Sequence, residues 1–139
     1  MPAGYETFAH KADVGVRGFG ASLEEALEGA ALALTSVVAE PGRVRQVQSR
    51  AVSLEEQDPE LLLYSWLSEV VRLMDTERML FSGFEVHLDG PRLRAELWGE
   101  PLDIARHEPV VEVKAATFEE LSVSRDAGGT WTAQAVVDV

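Results

Sequence analysis

The sequence predicts an α+β fold in which two main helices pack against an antiparallel or mixed β-sheet of about seven short strands. Two long amphipathic stretches carry helix-capping residues, and the first of them follows the first pair of predicted strands. The remaining apolar runs are short and bounded by turn residues. We predict a single domain spanning residues 1–139, because a chain of 139 residues suits one core and no linker-like segment divides it.

The first predicted helix covers residues 22–40. Its apolar positions recur at steps of four and three residues, at Leu23, Leu27, Ala30, Leu34 and Val37. Ser22 and Glu25 have the spacing of a capping box, in which the two side chains satisfy free N–H groups of the first turn. Pro41 then ends the helix. Gly29 lowers the helix propensity, and we expect it to allow close packing against a neighbouring element.

The second predicted helix covers residues 58–75, with Asp58 as its N-cap and Pro59 at its first position. Its apolar face is broad and comprises Leu61, Leu62, Leu63, Trp66, Leu67, Val70, Val71 and Met74. A face this broad is typical of a buried helix. We therefore expect both helices to be committed to the core and the surface to carry no exposed apolar patch.

The rest of the sequence has the alternation of β-strands. Residues 6–10 and 13–19 flank a short turn, and residues 50–56 form a short strand before the second helix. Residues 84–100 have the pattern of a hairpin that turns at "DGPR". Residues 110–139 supply up to three more strands, of which the last two join at "DAGG".

The acidic composition and the absence of cysteine limit the classes of function that this chain can have. Twenty-four acidic residues face 12 basic ones, for a formal net charge of −12, so autonomous binding to nucleic acid is disfavoured. Such a chain favours cations or a basic surface on another protein. The absence of cysteine excludes disulfides and thiolate metal sites, and the sequence contains no apolar run of membrane-spanning length and no secretory signal pattern. We predict a cytoplasmic protein without membrane association.

Two aspartates stand out as candidates for cation binding. Asp13 enters a predicted strand after a turn, and Asp138 ends an apolar strand beside the terminal carboxylate of Val139. Converging carboxylates repel one another unless a cation compensates them, and oxygen ligands favour Ca²⁺ or Mg²⁺ over zinc. Lys114 lies in an apolar run, either as a charged residue that protects an edge strand or as an ion-pair partner of Asp13 or Asp138.

The histidines are less informative. His10 and His107 lie beside acidic or turn residues, so they are candidates for a site, and Asp103 precedes His107 in the same predicted loop. His87 alternates within a predicted strand, which favours a surface or half-buried structural role. The phosphate-binding, dinucleotide-binding, nucleophile-elbow and zinc-helix motifs are absent from the sequence.

Four segments, in this order and at these distances, resemble the archease family. They are "YETFAHKADVGVRGFGASLEEALEGAALALTSVV", "DPELLLYSWLSEVV", "GEPLDIARHEPVVEVKAATFEELSV" and "GTWTAQAVVDV", and the resemblance runs from Tyr5 to Val139. The chain departs from the family pattern at two positions. Lys11 stands where threonine is usual. In "ATFEEL" the family more often has an aromatic residue followed by histidine, and this chain has Glu119 in place of that histidine.

The resemblance implies an accessory role in RNA ligation. Archeases assist an RtcB-type RNA ligase, a metal-dependent enzyme that consumes GTP, by promoting its guanylylation and multiple turnover in tRNA splicing and RNA repair. The resemblance implies that this chain is not itself an enzyme and reaches RNA only through the ligase. It also implies a divalent ion, calcium first and magnesium or manganese as alternatives, held by Asp13, Asp138 and Val139, with Lys114 and Asp103 implicated nearby.

Two other functions compete with this one. The first is a general chaperone-like modulator of proteins that process nucleic acids, which would bind many clients through an exposed apolar patch. The second is a free-standing metal-dependent hydrolase, which would need a general base near the metal, taken from His10 or His107.

Overall fold

Two antiparallel sheets and two long helices build the fold of residues 3–139, the part of the chain that the structure, a computed structural model, describes. The strands of this part are β1 (Gly4–His10), β2 (Asp13–Gly20), β3 (Gln48–Glu55), β4 (Met79–Asp89), β5 (Arg92–Pro101), β6 (Ala115–Ala116), β7 (Ser122–Arg125) and β8 (Trp131–Asp138). The helices are α1 (Leu23–Val38), α2 (Pro59–Thr76) and α3 (Ile104–His107), with one 3₁₀ turn at Pro41–Arg43.

The two sheets differ in the number and order of their strands. The five-stranded sheet has the order β1-β2-β8-β6, and β7 pairs with the other half of the β8 edge that β6 occupies. The three-stranded sheet has the order β3-β5-β4, and its β4–β5 hairpin is the one predicted at "DGPR". All of these pairings are antiparallel. The α+β class is confirmed, and the expected single sheet is in fact two.

Both long helices begin where the sequence predicts. The hydroxyl of Ser22 accepts a hydrogen bond from the amide of Glu25 at 3.2 Å. The carboxylate of Glu25 accepts from the amide of Ala21 at 2.8 Å, one residue earlier than the usual capping box. The carboxylate of Asp58 accepts from the amides of Glu60 and the next residue, at 2.8 and 3.3 Å. Local capping chemistry therefore fixes both starting points.

The core lies between the helices and the inner faces of the sheets. Two buried polar contacts join its parts. The indole of Trp66 in α2 donates to the carbonyl of Leu27 in α1 at 2.9 Å, and the hydroxyl of Thr35 in α1 donates to the carbonyl of Phe81 in β4 at 2.7 Å. The predicted helix faces are buried except at Leu23 and Met74, which are half-buried, and at Leu61, which is exposed at the start of α2.

Helix α1 rests almost directly on the backbone of the five-stranded sheet. A Cβ atom placed on Gly18 in β2 would lie 2.1 Å from the carbonyl oxygen of Ala26 and 2.1 Å from the nitrogen of Ala30. A Cβ atom on Gly29 would lie 2.4 Å from the carbonyl oxygen of Gly4. The expected close packing at Gly29 is confirmed, and Gly18 is its counterpart on the sheet.

The region after β5 departs from the sequence prediction. The expected loop contains the four-residue helix α3, and residues 110–114 form no strand although their sequence alternates like one. Ile104, Val110 and Val111 are exposed, so the prediction of a surface without an apolar patch is wrong. These side chains lie outside both long helices, which the prediction considered alone. In residues 3–139 no helix is both long and apolar enough to span a membrane.

Candidate functional site

The two candidate aspartates lie on neighbouring strands at one end of the five-stranded sheet. His10 is paired with Asp13 across the β1–β2 turn, and Val14 is paired with Val137 between β2 and β8. One further residue in this register places Asp13 opposite Asp138. Residues opposed in this way have Cβ atoms about 4.5–5.5 Å apart and project from the same face of the sheet. This register puts Asp13, Asp138 and His10 at the same end of the five-stranded sheet.

The end of β8 is held on both sides by main-chain contacts. On one side β2 pairs with it, and on the other the amide of Lys114 donates to the carbonyl of Asp138 at 2.8 Å. Three residues after Lys114, the amide and the hydroxyl of Thr117 both donate to the carbonyl of Val136, at 3.0 and 2.8 Å. The predicted ordered end of the chain is confirmed, since β8 runs to Asp138.

The turn before Asp13 contains a strained residue. Lys11 has φ +55°, in the left-handed region that a side chain with a Cβ atom rarely adopts. This lysine is one of the two departures from the family pattern. It shapes the entry to β2, and thereby the position of Asp13, at some conformational cost.

The carboxylates of Asp13 and Asp138 have no cationic partner within the structure. Among residues 3–139, neither forms an ion pair with a lysine, arginine or histidine within 4 Å. Two carboxylates on adjacent strands repel each other, and a bound cation would relieve that repulsion. The oxygen donors here fit a divalent cation such as calcium, magnesium or manganese.

His10 adds an unsatisfied nitrogen to the same surface. Its Nε2 lies 3.3 Å from a carboxylate oxygen of Glu119, and its Nδ1 is buried without a hydrogen-bond partner in the described part of the chain. A buried polar atom normally has a partner, so Nδ1 is an exception among the described residues. No group of three or more His, Asp and Glu side chains in residues 3–139 is arranged to hold a metal ion by itself. A cation would therefore also need main-chain oxygens, such as those of Val139.

Lys114 does not form the ion pair that was one of the two roles predicted for it. It makes no ion pair with Asp13 or Asp138 within 4 Å, so the pairing hypothesis is wrong. Lys114 is exposed, and its amide donates to the carbonyl of Asp138 at 2.8 Å. It also lines a groove with residues of α2, including Tyr64 and Asp75.

Asp103 and His107 belong to a different network, around α3. The carboxylate of Asp103 caps this helix by accepting from the amide of Arg106 at 3.2 Å, and its own amide donates to Nδ1 of His107 at 2.9 Å. His107 is buried, and its Nε2 donates to the carboxylate of Glu100 at 2.9 Å. None of these contacts reaches Asp13, and a histidine with both ring nitrogens engaged is not available as a base there.

Glu100 is the centre of this network, and the sequence reasoning missed it. Its carboxylate accepts from the guanidinium of Arg106 at 2.5 Å and from the amide of Arg45 at 2.7 Å. The hydrogen bond from Arg106, helped by those from Arg45 and His107, outweighs the effect of burial and lowers the pKa of Glu100 to about 2. The sequence feature that could have indicated this network is a glutamate at the end of a predicted strand, followed within seven residues by Arg106 and His107.

We expect Glu100→Gln to flatten the loss of stability in acid. The carboxyl has a pKa near 2 in the folded chain and about 4.3 when unfolded, so the unfolded chain binds its proton first. The network therefore stabilises the fold fully above about pH 5 and progressively less as the pH falls to about 2. Urea unfolding followed by circular dichroism between pH 2 and 6 measures the slope. At pH 7 the variant should also lose about 1.5–3 kcal/mol of unfolding free energy.

The matched control for this prediction is Glu96→Gln. Glu96 is exposed on β5, so this variant removes the same charge without touching the network. It should follow the wild-type pH dependence. Equal slopes for Glu100→Gln and the wild type would contradict the account of Glu100.

Fold and site together define a small acidic α+β protein that presents uncompensated carboxylates at one end of a five-stranded antiparallel sheet. The chain belongs to the archease family. The model of the Archease protein family (MTH1598/TM1083) matches residues 5–139. The earlier resemblance is thereby confirmed.

Archeases of other organisms are similar to this chain over nearly its whole length. It is 40% identical to the protein archease of Pyrococcus abyssi and 42% identical to that of Thermococcus gammatolerans, with 97% of this chain and 98% of each relative covered. The solution structure of protein 1598 of Methanobacterium thermoautotrophicum has a TM-score of 0.86 and 36% identity, covering 98% of this chain and 99% of that one.

A more distant structure shares the fold. The crystal structure of an archease from Thermotoga maritima, described as a possible chaperone, has a TM-score of 0.64 at 19% identity and covers 96% of each chain. At this level of identity the likeness shows the fold alone.

Proposed function

We propose that this chain is a non-catalytic, metal-binding activator of an RtcB-type RNA ligase. It promotes guanylylation of the ligase and its multiple turnover in tRNA splicing or RNA repair, and RNA is reached only through the ligase. The observation that carries the proposal is the pair of uncompensated aspartates, Asp13 and Asp138, at the ordered end of β8. The ligase is proposed as the partner on the strength of what the resemblance to archeases implies.

In this proposal each residue has a separate task. Asp13 and Asp138 hold a divalent ion, calcium first with magnesium or manganese as alternatives, and main-chain oxygens of Val139 complete the donor set. When bound, the ion supplies positive charge that can offset developing negative charge on phosphate groups. His10 lies beside the site, paired with Asp13 across the β1–β2 turn, and Lys114 lies at its edge, where its amide donates to the carbonyl of Asp138.

Charge determines how the two proteins meet. With a net charge of −12 this chain is repelled by an RNA backbone and attracted to a basic surface. We place the carboxylate end of the sheet at the basic mouth of the ligase active site, where it positions or exchanges a metal ion. Asp103 acts less directly, since its carboxylate caps α3 and is held within the Glu100 network.

The experiment that tests the proposal is a ligation assay with limiting ligase. RNA ends are supplied in large excess over the ligase, with GTP and manganese, and the chain is added in substoichiometric to equimolar amounts. The proposal predicts several rounds of ligation per ligase molecule with the chain and about one round without it. Equal turnover numbers in the two arms would contradict it.

The second candidate function is a general chaperone-like modulator, and the exposed apolar side chains of Ile104 and Val110 favour it. Its test is aggregation of a thermally unfolded enzyme unrelated to RNA, with the chain near equimolar and divalent metals chelated. The ligase-activator proposal predicts no suppression of aggregation. Suppression under these conditions would support the chaperone-like function.

One of the two candidate bases for the competing function, a metal-dependent hydrolase, is not available. It required His10 or His107 as a general base, and His107 is buried in hydrogen bonds with Glu100 and Asp103. The structure offers no observation that favours hydrolysis over activation.

A further inference from the structure

Residues 110–114 form a segment that lies outside every strand of residues 3–139 and is held by main-chain hydrogen bonds only at its two ends. The amide of Val110 donates to the carbonyl of Val38 at 2.9 Å, and the amide of Lys114 donates to that of Asp138 at 2.8 Å. Between these anchors, the amides of Val111, Glu112 and Val113 have no hydrogen-bond partner within residues 3–139. Valine-rich alternation is typical of a strand, so the segment has strand propensity and an unpaired edge.

The direction of the amides can be read from the two anchors. In an extended chain, successive N–H groups point to opposite sides. The amides of Val110 and Lys114 point into the protein, toward the carbonyls of Val38 and Asp138. With the segment extended between these anchors, the amides of Val111 and Val113 would point to the other side, where an added strand would meet them.

An apolar cleft runs beside this segment. It has a volume of about 280 Å³ and is lined by side chains that include Met74, Leu102 and Ile104. A second cleft of about 250 Å³ shares Asp75 with it and continues past Lys114 to β6. Val110 is 76% exposed and Ile104 is 68% exposed, which places two large apolar side chains in water at the mouth of the cleft.

The charges around the cleft indicate what would occupy it. Asp75 and Glu112 line the first cleft with Arg78, and neither acid forms an ion pair within residues 3–139. Arg72 and Lys114 line the second cleft. A second copy of this chain would bring another net charge of −12, which opposes association. An apolar segment that also carries lysine or arginine complements both the cleft and the charge.

We propose that residues 110–114 receive an extended basic segment of the ligase, which pairs with the outward amides of Val111 and Val113 and places apolar side chains in the adjacent cleft. This inference rests on the proposed function, since it names the docking surface for the same partner. The occupied segment would continue the sheet edge at β6, next to Asp138.

Amide hydrogen exchange measured by NMR tests the pairing directly. In the free chain, the amides of Val111 and Val113 should exchange rapidly because they have no hydrogen-bond partner within residues 3–139. On addition of the ligase, those of Val111 and Val113 should slow by at least about tenfold, while that of Glu112 should change less. This alternating pattern is specific to strand addition. Uniformly unchanged exchange in a formed complex would overturn the inference.

A matched pair of variants tests the cleft. Val110→Asp places a charge at the cleft mouth, and Val47→Asp makes the same change at a valine that is 67% exposed and not among the residues lining the cleft. Both positions are on the surface, so both variants should fold. The Kd for the ligase should rise at least about tenfold for Val110→Asp and stay unchanged for Val47→Asp.

The outcomes separate this inference from the function on which it rests. If the wild-type chain fails to bind the ligase at all, the proposed function fails and the inference fails with it. If the wild type binds and Val110→Asp binds equally well, the inference is wrong and the proposed function stands. A last outcome concerns the chain without ligase. If the amides of Val111 and Val113 are protected from exchange there, and light scattering also detects a dimer, a second copy is the occupant and the inference is overturned.

Discussion

Asp138→Asn is expected to weaken divalent-cation binding by at least roughly tenfold, equivalent to about 1.4 kcal/mol, and to abolish stimulation of the ligase. The substitution keeps the size of the side chain and removes one of two charges that face each other across β2 and β8. Asp138 is exposed and its main-chain bond to Lys114 is unaffected, so the fold should be retained. Isothermal titration calorimetry with calcium and with manganese measures the affinity.

Asp89→Asn is the matched control for this prediction. Asp89 is exposed at the end of β4, next to the hairpin turn, and the variant loses the same charge far along the chain from the site. Its cation affinity and its stimulation of the ligase should equal those of the wild type. If Asp138→Asn bound cations and stimulated as well as Asp89→Asn, the carboxylate at position 138 would have no part in the site.

Gly18→Ala is expected to lower the free energy of unfolding by about 3 kcal/mol. The new methyl group would lie 2.1 Å from backbone atoms of Ala26 and Ala30, and backbone in the middle of a helix cannot move aside as a flexible side chain can. Helix α1 would have to lift from the sheet, which would loosen the core between them. Urea denaturation followed by tryptophan fluorescence measures the change.

The same substitution at Gly42 separates packing from the general effect of replacing glycine. A Cβ atom on Gly42 would find its nearest neighbour at 3.9 Å, so Gly42→Ala should leave stability unchanged or raise it slightly. A Gly18→Ala variant within about 0.5 kcal/mol of the wild type would contradict the account of how α1 sits on the sheet.

Features that depend on neighbouring residues could be predicted from the sequence. Ser22 and Asp58 begin helices because their side chains accept from amides two or three residues away. The β4–β5 hairpin turns at "DGPR" for a similarly local reason, since Gly90 has φ +57°. In each case the interacting groups are close in sequence, so the pattern contains the whole interaction.

Features that depend on a distant partner could not be predicted. The alternation of residues 110–114 records strand propensity, but the chain supplies no strand to pair with it, so the segment stays open. Lys114 has aspartates nearby in the sheet, yet it forms no ion pair with them within residues 3–139. Gly29 signalled a close approach without showing that its counterpart is Gly18.

The candidate site was predicted in part. The convergence of Asp13 and Asp138 follows from the pairing of β2 with β8, which composition and periodicity do not reveal and the family resemblance implied. His107 and Asp103 were grouped with them because all are polar residues near turns. Burial of His107 against Glu100 is a tertiary contact, and it removes both residues from the immediate site.

The most direct test of the central claim is a guanylylation time course of the RtcB-type ligase with GTP, across a titration of manganese, magnesium and calcium. Three arms are compared: no added chain, the wild-type chain and the Asp13→Asn variant. The account predicts faster guanylylation with the wild type, dependent on the divalent ion, and the unstimulated rate with the variant. Equal stimulation by the wild type and a folded Asp13→Asn variant, or none by the wild type at any metal concentration, would contradict it.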